Sequence, residues 1–214
     1  VPEEKLILHR QEVSPFMTNC YLVVCAVTRE AALVDPGGDP ELIEMMISKA
    51  GDPRITMIIN THAHVDHVSA VYDMQERYKA PFHLHPDDTF LLAHLESQAA
   101  AYGMDGVKHP RVEAELRDGQ QIQLGELTLK IIHTPGHSPG GISIAVEDHL
   151  FCGDTLFAGS IGRTDLPGGS YEVLLTSIRV KLLDALDDRT VIHPGHGPAS
   201  TLGRERVSNP FLIG

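Results

Sequence analysis

The stretch RITMIINTHAHVDH, residues 54–67, decides the reading of this chain. Its first half is a short, nearly continuous apolar run, as expected for a strand buried on both faces. Its second half places His62, His64, Asp66 and His67 at the end of that strand, where α/β proteins put their chemistry. Imidazole and carboxylate are the donors that borderline cations such as zinc prefer. In an extended or tight-turn segment His62 and His64 can point to one side. Asp66 and His67 then open a helix and can point toward a second position. One cation cannot easily use all four side chains, so the run suggests two adjacent metals.

Two metals need further donors, and three occur in matching settings. His137 ends TPGH after the apolar run LTLKII, Asp154 ends CGD after HLFC, and His196 ends PGH after TVIH. Each follows a predicted strand, and the glycine beside each lets the backbone turn sharply. A carboxylate such as Asp154 can bridge two cations with its two oxygens.

Around these motifs, strands and helices alternate. TNCYLVVCAV and AALVDPG read as a hairpin joined at TRE. Asp39 and Pro40 open a helix as N-cap and first helical residue. Leu42, Ile43, Met46 and Ile47 form its apolar face, and Gly51 ends it. A helix starting near Asp66 carries Val68, Val71, Tyr72 and Tyr78 on one side. APFHLH is a strand, and Asp87 to about Gly103 reads as helix, with Phe90, Leu91, His94 and Leu95 at helical spacing. QIQL and LTLKII pair through Gly125-Glu126; ISIAV and HLFCGD pair through Glu147-Asp148. Ser170 caps a long helix striped with Leu174, Leu175, Ile178, Leu182 and Leu186. The tail from Pro198 shows no periodicity and reads as an irregular wrap. No stretch resembles a linker, so residues 1–214 are expected to form one domain of two packed sheets with helices outside.

Composition narrows the partners. Twenty-nine acids against 17 bases give a net charge of −12, which disfavours nucleic acid. No apolar run approaches the roughly 20 residues of a membrane span. The opening VPEEKLILHRQEV has no apolar core of a signal peptide, so a cytoplasmic location is expected. Cys20 and Cys25 differ in parity along one strand and should face opposite sides of it. With Cys152 they make an odd set of three, read as buried thiols.

Taken in order, HAHVDH, His137, Asp154 and His196 resemble the metal motifs of the metallo-β-lactamase superfamily, with Asp35 in LVDPG as its first, structural acid. The resemblance runs from about Met17 to Asn209. TNCYLV, GRTDLPGG, PGHGP and NPFL are similar to the short glyoxalase II-like, hydroxyacylglutathione hydrolase-type members. The resemblance implies a four-layer αβ/βα sandwich of the metallo-β-lactamase fold. It implies one metal on His62, His64 and His137, a second on Asp66, His67 and His196, and Asp154 between them. Two divalent ions are expected, zinc foremost, with iron or manganese as alternatives. A hydroxide held between them would attack a small-molecule thioester such as S-lactoylglutathione, with Asp66 and Asp154 the acids closest to the chemistry.

Larger glyoxalase II enzymes grip glutathione with a C-terminal helical domain, whereas here only residues 197–214 follow His196. Arg163 in GRTD is the candidate substrate contact, balanced against a salt bridge to Asp165. Tyr102, Lys108 and Arg111 are weaker lid candidates. His83, His85 and His94 read as packed side chains; His133 and His193, before the two PGH turns, read as buried side chains with a backbone hydrogen bond, with support of the metal ligands as the alternative. The same fold also hosts a persulfide dioxygenase, which would hold one iron on His62, His137 and Asp154. A metal-binding module without turnover is the alternative outside enzymes. A zinc β-lactamase is disfavoured by the acid at position 154 and by the lack of an export signal.

Overall fold

The computed structural model describes residues 5–213. The first sheet holds β1 (Leu6–Val13), β2 (Thr18–Cys25), β3 (Glu30–Val34), β4 (Arg54–Ile59), β5 (Phe82–Leu84) and β6 (Val112–Glu115), in that order across the sheet. Its first three strands are antiparallel, and β3 to β6 run parallel. The second sheet has the order β14-β13-β10-β9-β8-β7, with β7 (Gln121–Leu124), β8 (Leu127–His133), β9 (Ile142–Val146), β10 (His149–Gly153), β13 (Val191–Pro194) and β14 (Ser200–Thr201). A small hairpin of β11 (Leu156–Phe157) and β12 (Ser160–Ile161) stands beside it.

Alternation along the strands fills three apolar layers. From β2, Cys20, Leu22 and Val24 pack under the helices of the first sheet, while Tyr21, Val23 and Cys25 fill the space between the sheets. The opposite orientation of Cys20 and Cys25 follows from the period of two, and both thiols are buried and free, as is Cys152. The third layer lies outside the second sheet, where Leu150, Cys152 and Ile192 meet Leu174, Ile178 and Leu182. Helix–sheet–sheet–helix is therefore the order of layers, and the expected four-layer αβ/βα sandwich stands.

The helices depart from expectation in instructive ways. Helix α1 (Pro40–Lys49) forms, but Asp39 sits at φ 45° and makes no side-chain cap. Its carboxylate instead accepts from the Ser14 amide at 2.7 Å, tying the β1–β2 turn to the helix start. The helix expected near Asp66 divides into α2 (Val65–Val68) and α3 (Val71–Tyr78). The 87–103 segment breaks as well, into a 3₁₀ turn at Pro86–Asp88, α4 (Thr89–Ala93) and α5 (Leu95–Ala101). Leu91, Leu92, Leu95 and Ala99 face the core there, while Phe90 and His94 turn outward. His94 is thus not packed; its Nδ1 bonds the Phe90 carbonyl at 2.7 Å. The long helix begins at Ser170 as α6 (Tyr171–Thr176) and widens into a π-helical stretch over Ser177–Leu183.

Strands β1 and β6 and the β11–β12 hairpin were not predicted, and the tail is not irregular: α7 (Leu202–Ser208) follows β14, capped by Thr201. Fully buried Glu205 holds it, accepting from Gly159 N at 2.8 Å and Asn209 Nδ2 at 2.9 Å. Among the described residues no helix is long and apolar enough to cross a membrane.

Candidate metal centre

The C-terminal ends of β4, β8, β10 and β13 come together at one edge of the sandwich, and each is followed by predicted donors. The loop after β4 is held by side chains at nearly every step. Thr61 donates through N and Oγ1 to the two oxygens of Asp35, each at 2.7 Å. Ala63 N donates to Asp88 Oδ2 at 3.0 Å, and Val65 N to Gln98 Oε1 at 3.1 Å. Asn60 Nδ2 donates to the His67 carbonyl at 2.6 Å. Pairing these amides with side chains lets the chain leave the sheet without orphaned donors.

The loop after β8 shares an anchor with it. Asp88 also accepts from Ser138 Oγ at 2.8 Å and from Gly140 N at 2.6 Å. One buried carboxylate therefore joins the His62–His64 segment to the His137 segment. Gly153 turns the chain after β10 at φ 47°, where a Cβ would strike Thr61. The PGH turn after β13 is held from the first sheet: Tyr21 Oη donates to the Pro194 carbonyl at 2.7 Å, and Asn19 Nδ2 to the Pro194 and Gly197 carbonyls at 2.9 Å. A Cβ on Gly195 would collide with Asp154 Oδ1 and His67 Cε1.

All seven predicted donors meet. His62, His64 and His137 form one group, Asp66, His67 and His196 another, and Asp154 joins His62 and His67 in a third. His137 Nε2 lies 3.2 Å from His62 Nε2 and 2.9 Å from His64 Nδ1. Asp66 Oδ2 is 3.2 Å from His196 Nε2. Asp154 faces His67 with Oδ1 at 3.4 Å, and His137 and His196 with Oδ2 at 3.6 and 3.5 Å.

The far ring nitrogens assign the tautomers. His137 Nδ1 meets the Arg163 carbonyl at 2.7 Å, an acceptor only, so it carries the proton. The Thr61 hydroxyl is spent on Asp35, so its oxygen accepts from His62 Nδ1 at 3.1 Å. The two Nε2 atoms, 3.2 Å apart, then face one another. Burial holds His62 in the neutral form, helped by His67 and His137, and burial foremost with His137 lowers His64 to about 3. With His64 Nδ1 at 2.9 Å from His137 Nε2, three ring nitrogens converge on one point, as the donors of a single cation do. Buried His67 Nε2 and Asp154 Oδ1 likewise face each other without hydrogen bonds. Burial disfavours charge on Asp154, yet His67, His137 and His196 outweigh it and keep the carboxyl well below its usual range. Burial opposes charge on His67, yet Asp66, Asp154 and Asp35 outweigh it and hold that imidazole well above its usual range, a proton that a bound metal would displace. Behind the donors, the Thr61 hydroxyl orients His62, the Arg163 carbonyl His137, the Asp35 carboxylate His67 and the Phe16 carbonyl His196, as supports of a metal site do. The residues fit divalent cations.

A family model described as the metallo-beta-lactamase superfamily matches residues 13–200. The chain belongs to that superfamily. A relative from Haemophilus influenzae, hydroxyacylglutathione hydrolase GloC, is 37% identical over 209 residues, spanning 94% of this chain and 95% of its own. The crystal structure of BLEG-1 B3 metallo-beta-lactamase superposes with a TM-score of 0.89 at 36% identity, covering 97% of this chain and 100% of that one. TTHA1623 in a di-iron-bound form gives 0.86 at 36% identity, with 95% and 100% covered. With this membership, the cluster is the candidate centre of a metallo-hydrolase of the superfamily.

A cavity of about 900 Å³ opens on this superfamily centre through His64, Asp66, Asp154 and His196. Arg163 is in its wall, but its guanidinium is held by Asp165 through two 2.8 Å bonds. Tyr102 lines the cavity against Phe16, ring edge to face at 5.1 Å. Lys108 and Arg111 do not line it; they pair with Asp73 and Glu113. His133 binds the Pro139 carbonyl at 2.8 Å and stacks on His85. His193 stacks between Phe151 and His149, away from the donors. The anchors Asp88, Gln98, Asn19 and Tyr21 escaped the sequence reading. For Asp88 the available signal was a second acid after His85-Pro86 at a strand-to-helix junction.

Proposed function

We propose that this chain is a dinuclear metal-dependent thioester hydrolase acting on S-lactoylglutathione or a related hydroxyacyl-glutathione. The observation that carries the reading is the convergence of seven donors in two groups with Asp154 facing both. The relative named hydroxyacylglutathione hydrolase supports the substrate class.

His62, His64 and His137 would hold one cation, Asp66, His67 and His196 the other, with Asp154 serving both. Bound cations supply an ionised water at neutral pH and polarise the acyl oxygen. The chain's own part is to fix the donors and shape the approach. Asp66 is in the cavity wall and accepts from Thr18 Oγ1 at 3.5 Å, a carboxylate placed to orient the attacking water. A thiolate leaves without much acid assistance, which suits a cavity whose charged groups are gathered at the donor end.

The test combines elemental analysis with a panel of thioesters, a β-lactam and glutathione persulfide. Two metals per chain and robust thioester hydrolysis, lost in Asp66→Ala and His67→Ala with release of metal, support the reading. A single iron with persulfide-dependent oxygen uptake and negligible hydrolysis overturns it in favour of the dioxygenase. Faster β-lactam than thioester turnover overturns the substrate class, and bound metal with no turnover of any substrate favours the non-catalytic module.

A further inference from the structure

The cavity beside the donors is chemically lopsided. Beyond the metal-binding end its wall is mainly apolar, with the rings of Phe16, Phe90, Tyr102 and Phe157, and its polar side chains there, besides Arg163, are His94, Ser97, Gln98 and Ser160. Among the described residues its lining contains no lysine and one arginine, Arg163, which pairs with Asp165. A glutathione moiety brings two carboxylates and an ammonium. Seating those charges against aromatic rings costs their hydration, and the few polar side chains of the wall return only part of it. An aryl or medium-length alkyl group would gain from the same rings by leaving water. Phe90 and Tyr102, on separate helical segments, remain 38% and 51% exposed, so large apolar surface is open to a ligand there. Such exposed aromatic surface lining a concave site marks recognition.

We infer that the preferred substrate is a thioester carrying a bulky, uncharged apolar group on at least one side of the scissile bond, seated against Phe90, Tyr102 and Phe157. The inference rests on the thioester-hydrolase reading and replaces the glutathione moiety proposed there with an apolar group. The reaction is the same: water's oxygen bonds the acyl carbon, the C–S bond breaks, the sulfur leaves as thiolate and takes up one of water's protons, and the other proton passes to solvent. The products are a carboxylate and a thiol, with no change of oxidation state.

The experiment uses the metal-loaded full chain and two matched pairs. One pair is the acetyl and phenylacetyl thioesters of N-acetylcysteamine; the other is the ethyl and 3-phenylpropyl thioesters of acetic acid. Within each pair the leaving thiols are alike, so kcat/KM reports the added apolar group. The expected result is a preference of at least about tenfold for the larger member of one or both pairs. Phe90→Ser and Tyr102→Ser should each reduce that ratio. Calorimetry with uncharged 4-phenylbutanamide reports on the cavity apart from turnover: it should bind the wild type and bind both variants more weakly. Hydrolysis of S-lactoylglutathione with both ratios below tenfold overturns the inference and leaves the hydrolase reading standing. Hydrolysis of no thioester sinks the hydrolase reading. In that case amide binding lost in the variants still supports an apolar ligand site, and absence of amide binding overturns it.

Discussion

Replacing Asp88 by alanine removes a buried side chain that joins two donor-bearing loops. Three donors lose their acceptor: Ala63 N, Ser138 Oγ and Gly140 N. Asp88 itself is fully buried, so water does not readily replace it. An unsatisfied buried donor costs about 1–3 kcal/mol, and the Ser138 hydroxyl can rotate to another partner. Two stranded amides therefore set the scale, at about 2–6 kcal/mol. Against this, burial pushes the Asp88 carboxyl up from its usual range despite the three donors, so removing it also recovers a desolvation penalty. The net loss should fall in the lower half, about 2–4 kcal/mol, or about 4–16 °C in Tm for a chain of this length. That is tolerable within a typical total of about 5–15 kcal/mol. The freed loops should also weaken metal affinity about 10–100-fold, as is typical when a support behind a ligand is lost. Thermal denaturation in chelator isolates the stability term, and competition with a chromophoric chelator reads the affinity. Ser138→Ala, which removes one donor and strands no amide, should cost only about 1 kcal/mol. An Asp88→Ala protein melting within about 2 °C of wild type in chelator, with unchanged affinity, would refute the argument.

Reconstitution with excess metal should load two ions per chain, measured by elemental analysis; one fully occupied ion counts against the two-group arrangement. Asp154→Asn should lower hydrolysis by orders of magnitude and weaken both ions together, because its two oxygens face both donor groups; near-normal turnover in a folded variant would sink the bridging role. Gly195→Ala forces a methyl against Asp154 Oδ1 and His67, so metal content should fall more sharply than Tm; full occupancy in the variant would contradict the contact. Glu205→Ala strands Gly159 N and unpins the tail, costing about 1–3 kcal/mol by denaturant titration; an unchanged midpoint would show that the wrap is held otherwise.

Local pattern carried the donors. HAHVDH declares itself because four ligating side chains in six residues have no packing use, and each remaining donor follows an apolar run that stops at a glycine turn. The hairpins at Gly125-Glu126 and Glu147-Asp148 were equally legible, since their register is set by adjacent residues. Helix breaks were not. The 87–103 segment keeps a helical apolar rhythm across His94, yet the chain bends there so that Gln98 can reach Val65 N and Leu91 O, and that demand comes from a loop more than thirty residues away. The tail from Pro198 has no rhythm because its order depends on Glu205 and Asn209 reaching the β11–β12 hairpin. Arg163 was legible as a residue near the chemistry but not in its state: its carbonyl orients His137 while its guanidinium is tied to Asp165. The sequence alone thus determined which atoms can bind metal and that two sheets enclose them, because period and ligand chemistry are local. Only the tertiary structure decided what holds those atoms in place and what lines the cavity beside them, because those roles belong to side chains brought together from distant parts of the chain.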